Sequence, residues 1–80
     1  MYYVYILKSL KTGEYYKGLT ENINRRIDQH FLGKVRYTRT RLPLKLVFVQ
    51  ICGNRIEARV LEKYLKSGGG REIICEIEEI

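Results

Sequence analysis

Six residues near the start, YYVYIL at 2–7, constrain the fold more than any other feature of the chain. They are aromatic and β-branched, the types that suit a pleated strand. Alternation puts Tyr3, Tyr5 and Leu7 on one face and Tyr2, Val4 and Ile6 on the other. Both faces are apolar, so the strand belongs in the interior of a sheet, with a neighbour on each edge and a layer on each side. Lys8 to Glu14 carries Ser9, Thr12 and Gly13, which is turn chemistry. Tyr15 to Thr20 then reads as a second strand pairing back as a hairpin. Gly18 inside it marks a bulge or a close approach by another backbone or a ligand.

The rest of the chain supplies the neighbour and the layers. Thr20 to Asn22 offers caps for a helix over Ile23–Phe31, whose apolar stripe is Ile23, Ile27 and Phe31. Arg26 and His30 flank that stripe, and Gly33 ends the helix. Residues 34–45 are basic, and Pro43 stops a helix from running through them, so a short helix or loop is expected. Leu44–Ile51 reads as a third strand. Gly53 and Asn54 break it, and Asn54 can cap a helix over Arg55–Lys66 with Ala58, Leu61 and Leu65 as its stripe. Gly68-Gly69-Gly70 is expected to end that helix, and residues 71–80 mix Ile and Glu without a readable period. The order β-β-α-(short)-β-α describes an α+β domain with a small, mostly antiparallel three-stranded sheet.

Length and charge narrow the functions. The chain has 80 residues, one small domain at most, and such domains bury only about 60% of their unfolded surface. No apolar run is long enough to span a membrane, the N-terminus lacks a secretory pattern, and no membrane partner is expected. All 15 bases lie within residues 1–71 beside five acids, a balance of +10, whereas 72–80 holds four acids. A basic body favours a polyanionic partner, because neutralising phosphates releases counterions. Cys52 and Cys75 form no CxxC and there is a single His, so a structural zinc site lacks ligands. Both cysteines read as free thiols packed as small apolar residues in a reducing, cytoplasmic setting.

Three sets of residues stand out as carriers of chemistry. Tyr5 and Tyr16 are 11 residues apart, and a hairpin register summing to 21 sets them directly opposite. Plain packing also accounts for two phenols on one face. Arg26 and His30 edge the first helix, where an Arg ordinarily snorkels to water. Glu62 flanks the stripe of the last helix and equally suits an ion pair with Lys66. Together they make one carboxylate, one guanidinium, one imidazole and two phenols. Phosphodiester hydrolysis needs such parts. A carboxylate holds a hard cation such as Mg²⁺, the cation polarises the phosphate, and an Arg offsets charge on its oxygens. A phenol or imidazole can take a proton from water. A single carboxylate suits one metal ion and argues against a two-metal mechanism.

The same residues resemble the GIY-YIG nuclease family, in its short stand-alone bacterial type related to the N-terminal domain of the excinuclease C subunit. The match runs over roughly residues 2–73. Its first signature is Tyr3-Val4-Tyr5 and its second Tyr16-Lys17-Gly18, with Lys17 where an apolar residue is usual. Asn24-Arg25-Arg26 and His30 follow, then Gly33-Lys34, Tyr37-Thr38-Arg39 and Pro43. Glu57-Ala58 and Leu61-Glu62-Lys63 complete it, before Tyr64-Leu65-Lys66-Ser67-Gly68. The resemblance implies a GIY-YIG domain at 1–75 with an acidic tail at 76–80. It implies a three-stranded sheet flanked by helices and a DNA endonuclease acting in repair or recombination. Tyr5, Tyr16, Arg26, His30 and Glu62 would be catalytic, with Glu62 holding a single divalent ion, Mg²⁺ or Mn²⁺. Tyr5 is the favoured base over Tyr16. Many family nucleases carry an Asn downstream of the metal carboxylate, where this chain has Ile73-Ile74-Cys75.

The basic strip supplies Lys34, Arg36, Arg39 and Arg41 as nucleic-acid contacts. Target selection would come from a protein partner or from DNA structure. Two other readings stay open: a non-catalytic nucleic-acid-binding module of the same fold, and an interaction module whose acidic tail docks on its own basic face.

Overall fold

Alternation along the first strand places its residues as expected. In the computed structural model, which describes residues 1–79, β1 spans Tyr2–Ser9, β2 Tyr15–Thr20 and β3 Leu44–Cys52. The sheet is antiparallel in the order β2-β1-β3, so β1 is the middle strand. Its residues Val4, Tyr5, Ile6 and Leu7 are all buried. Helix α1 covers Ile23–Phe31, a 3₁₀ turn Arg39–Arg41, α2 Arg55–Leu65 and α3 Gly68–Glu79. Val4 and Ile6 build the main core with Cys52, Ala58, Leu65 and Ile74, so α2 and α3 cover that face. Tyr5 points to the opposite face, where α1 brings His30.

Local chemistry sets the helix ends. Asn22 caps α1 by accepting from the Arg25 N–H, and Gly33 leaves the helix at φ +76°. Asn54 caps α2 through the Glu57 N–H at 2.9 Å, and the Glu57 carboxylate accepts from the Gly53 N–H at 3.2 Å, a reciprocal cap.

Four features differ from the sequence reading. First, Tyr5 lies opposite Gly18 and Leu7 opposite Tyr16, so the register sums to 23 and the two tyrosines are diagonal neighbours. Sums of 21 and 23 keep every side chain on the same face, so alternation cannot separate them. Second, the approach at Gly18 is made by the Tyr5 ring. The irregularity in the sheet lies elsewhere, where β1 meets β3 between Ile6 and Leu7.

Third, α2 ends at Leu65, just before the glycine triplet, but the triplet then opens a further helix, α3, that the sequence did not reveal. Gly70 is buried, and a Cβ on it would fall 2.4 Å from the Leu65 Cα, so its bareness lets α3 pack tightly on the end of α2. Residues 76–79 continue this helix, and Glu78 is tied to the sheet by Tyr15 Oη at 3.0 Å and Lys8 Nζ at 3.5 Å. Ile80, the last residue of the expected acidic tail, lies outside the described residues. Fourth, both cysteines are free, but only Cys52 is buried; Cys75 is exposed.

Candidate active site

His30 is the centre of the arrangement. The stripe of α1 turns so that His30 is fully buried while Phe31 is 44% exposed. Both imidazole nitrogens are engaged: Nε2 with Tyr5 Oη at 2.9 Å, and Nδ1 with Thr38 Oγ1 at 2.8 Å. Among the described residues no buried side-chain polar atom lacks a partner. Burial, reinforced by the Arg26 charge, pushes the imidazole down from 6.5 to about 4. His30 is therefore neutral at neutral pH.

The phenols surround it. Tyr5 is 1% exposed, and its ring centroid lies 5.6 Å from that of His30. Burial raises the Tyr5 phenol above its usual range, and the neighbouring Arg26 guanidinium acts against that rise. Tyr16 is half-buried, with its centroid 6.3 Å from Tyr5, 5.0 Å from His30 and 5.4 Å from Tyr37. Arg26 is held above its ordinary value by the phenols of Tyr5 and Tyr16, and donates to Gln29 Oε1 at 3.2 Å. It opens onto a shallow groove shared with Arg25 and Asn22.

Glu62 comes from the other side of the sheet. Its helix, α2, packs on the Val4 face, but β2 is an edge strand, and the Glu62 side chain reaches the rim of that edge. There Tyr16, Tyr37, Glu62 and Lys66 line one cleft of about 360 Å³. The expected pair with Lys66 is present, Nζ to Oε2 at 3.6 Å. Among the described residues no group of three His, Cys, Asp or Glu side chains can hold a metal. A hard cation that keeps most of its waters asks for less. The Glu62 carboxylate is 17% exposed at an open cleft, so it can serve one hydrated divalent ion, with Lys66 as the competing cation beside it.

All five residues singled out in the sequence thus lie around the β2 edge, though not in one open pocket: Tyr5 and His30 are buried behind Tyr16. Sequence reasoning missed Thr38, whose hydroxyl holds His30, and Tyr37, which walls the cleft. In the sequence Tyr37-Thr38 stands out only as part of a motif. A fully buried threonine after a basic turn has no periodic signal. Lys17, whose place on β2 alternates to the face opposite Tyr16, also reaches the cleft, since a long side chain on an edge strand can bend around it. Of the basic strip, Lys34, Arg36 and Arg39 are exposed. Arg41 is occupied by Glu14 at 2.7 Å and by the Tyr37 ring at 4.3 Å.

Fold and site together define a small α+β domain with a phenol, guanidinium and carboxylate cluster on a sheet edge. Comparison with known proteins gives it a family. The model of the GIY-YIG catalytic domain matches residues 1–72, and the chain belongs to the GIY-YIG family, a family of nucleases. It is 37% identical over 79 residues to a UPF0213 protein of Staphylococcus haemolyticus, covering 98% of this chain and 95% of that one. To a UPF0213 protein of Streptococcus pneumoniae it is 42% identical over 65 residues, covering 80% of this chain but only 65% of that relative. The solution NMR structure of a UPF0213 protein from Bacillus halodurans superimposes with a TM-score of 0.58 at 37% identity, covering 96% of this chain and 85% of that one. Among the described residues no helix is long and apolar enough to cross a membrane.

Proposed function

We propose that the domain is a divalent-metal-dependent endonuclease that hydrolyses phosphodiester bonds in DNA, acting in repair or recombination in the cytoplasm. The observation that carries this reading is the meeting of Tyr16 and Glu62 in one cleft, with Tyr5 and His30 directly behind Tyr16 and the Arg26 charge beside the two phenols. Hydrolysis forms a bond from a water oxygen to phosphorus and breaks the bond to the departing oxygen. One proton leaves the water and one reaches the departing group.

Tyr16 is the phenol that faces the cleft, so it orients the attacking water and, as the phenolate, takes its proton to become the neutral phenol. Tyr5, buried against His30, is a positioning residue in this scheme, which reverses the preference drawn from sequence. The Tyr5 phenol is kept protonated by burial and needs an acceptor; His30 Nε2 is at hand. That choice leaves the ring proton on Nδ1, facing Thr38 Oγ1. Arg26 binds the non-bridging phosphate oxygens through charge-assisted bonds. Glu62 would hold the ion, with Lys66 released to the phosphate. A divalent ion bound there supplies Lewis acidity to the phosphate and the departing oxygen.

The test is cleavage of a panel of nicked, branched, single-stranded and duplex DNAs with Mg²⁺ or Mn²⁺. Metal-dependent cutting that disappears in Glu62→Ala is expected. No cutting on any substrate, or cutting unchanged in that variant, defeats the proposal. One observation favours a second reading, a binding module without turnover: Lys66 already neutralises the carboxylate. That reading expects salt-sensitive DNA binding with no metal-dependent product.

A further inference from the structure

Lys17 stands where an apolar residue is usual, and the cleavage scheme gives it no task. It lies on the edge strand β2, with its Nζ 5.9 Å from the Tyr15 ring centroid. Beyond it, α3 runs alongside and brings Arg71, and the two elements enclose a groove of about 410 Å³. Tyr15 and Tyr37 wall this groove as well as the cleft that holds Glu62, so the two spaces are adjacent. Tyr15 is anchored by its bond to Glu78, while Tyr37 is 54% exposed.

The groove has an excess of positive charge. Glu14, a carboxylate on its wall, is taken up by Arg41 at 2.7 Å. Among the described residues neither Lys17 nor Arg71 forms an ion pair. Burial and the nearby charges of Arg71 and Lys66 push the Lys17 ammonium below its ordinary value. Crowded cations with aromatic walls are what a nucleic-acid strand recognises, phosphate on charge and base on ring. A size of several hundred cubic ångströms is that of a small-ligand pocket. Bases in a duplex are stacked inside it and cannot reach between a strand and a helix; an unpaired base can.

We infer that the groove between β2 and α3 is a subsite for one unpaired nucleotide of the DNA strand beside the scissile bond, its phosphate on Lys17 and Arg71 and its base against Tyr15 and Tyr37. The inference rests on the nuclease reading of the neighbouring cleft and deepens it. The substrate class becomes a strand that is single or frayed next to the cut.

Binding in EDTA, with no cleavage, tests it. A labelled short oligothymidylate and a labelled hairpin duplex are titrated by fluorescence anisotropy at several salt concentrations, with circular dichroism as the check on folding. Lys17→Gln and Arg71→Gln are each expected to weaken single-strand binding roughly tenfold. Each should also lower its salt slope by about 0.7. Tyr37→Ala is expected to cost roughly tenfold, with Tyr37→Phe close to wild type. Duplex binding should change far less. Folded variants that bind the oligothymidylate like wild type overturn the subsite. So does equal loss on both DNAs, or displacement of the strand by a poly-glutamate peptide as readily as by DNA. Variant-sensitive binding supports the subsite even if no DNA is ever cut, whereas cutting with variant-insensitive binding removes the subsite and keeps the nuclease.

Discussion

The ring of Tyr5 lies across Gly18, so closely that a Cβ on Gly18 would fall 2.3 Å from both Cζ and Oη of the phenol. The glycine of the second signature is therefore the floor on which the buried tyrosine rests. Gly18→Ala is expected to swing that ring away, break its 2.9 Å bond to His30 and destabilise the fold by about 1–3 kcal/mol. Urea melts measure the loss. A wild-type midpoint together with an unchanged His30 NMR signal would show that the ring has other room.

His30 should make stability depend on pH. Its folded-state value, about 4, lies below the ordinary 6.5, so between these values the unfolded chain binds a proton that the folded one refuses. Stability therefore rises with pH across that window, is fully present above about 6.5, and is lost as pH falls toward about 4. Glu14 and Glu78, both held below the ordinary carboxylate value of 4.5, add their own loss at still lower pH. Urea midpoints measured from pH 7 down to 4 should fall steadily, and His30→Gln should flatten the upper part of the curve. A flat wild-type profile would mean the imidazole is protonated in the folded state.

What was legible in the sequence follows from periodicity. Strand alternation set the faces of Tyr5 and Tyr16, and the Asn caps and Gly33 set the ends of α1 and α2. The hairpin register escaped because a shift of two in its sum moves no side chain to a new face. The glycine triplet misled because a breaker and a close helix contact look alike in sequence; only the presence of the Leu65 backbone beside Gly70 tells them apart. His30 read as a flank because period alone cannot say that Phe31 leaves the core and a polar ring enters it. Strand parity turns Lys17 away from Tyr16, but parity is a rule about where Cβ points and not about where a long side chain on an edge can go.

The His30 clamp predicts how two isosteric changes behave. Tyr5→Phe and Thr38→Val each leave one buried imidazole nitrogen without its partner, which costs about 1–3 kcal/mol. Small domains have roughly 5–15 kcal/mol in hand, so both variants should remain folded. Tyr5→Phe is further expected to lower cleavage by orders of magnitude. Melting curves with parallel cleavage assays check this, and unchanged rates in the folded Tyr5→Phe protein would remove Tyr5 from the mechanism.

Glu62 should matter to activity and hardly at all to folding. Its pair with Lys66 is an i,i+4 contact with a largely exposed partner, worth no more than about 0.5 kcal/mol. Glu62→Gln keeps the shape and removes the charge that would hold an ion. Single-turnover cleavage in Mn²⁺ is expected to fall by orders of magnitude while the urea midpoint stays within error. A variant that lost both would point to a structural carboxylate instead.

The glycine triplet offers a contrast within one helix. At Gly70 a Cβ would meet the Leu65 Cα and O at 2.4 Å, backbone atoms that cannot rotate aside. Gly70→Ala must therefore push α3 off the end of α2, losing part of the packing around buried Leu65 and Ile74 and destabilising by about 1–3 kcal/mol. At Gly68 nothing lies within 4 Å and its φ is not in the left-handed region, so Gly68→Ala adds helix propensity without a clash. It should stabilise by about 0.4–1 kcal/mol. Measured side by side in urea, the two substitutions are expected to move the midpoint in opposite directions. A shift of the same sign for both would mean that α3 does not approach α2 as closely as the Gly70 contact requires.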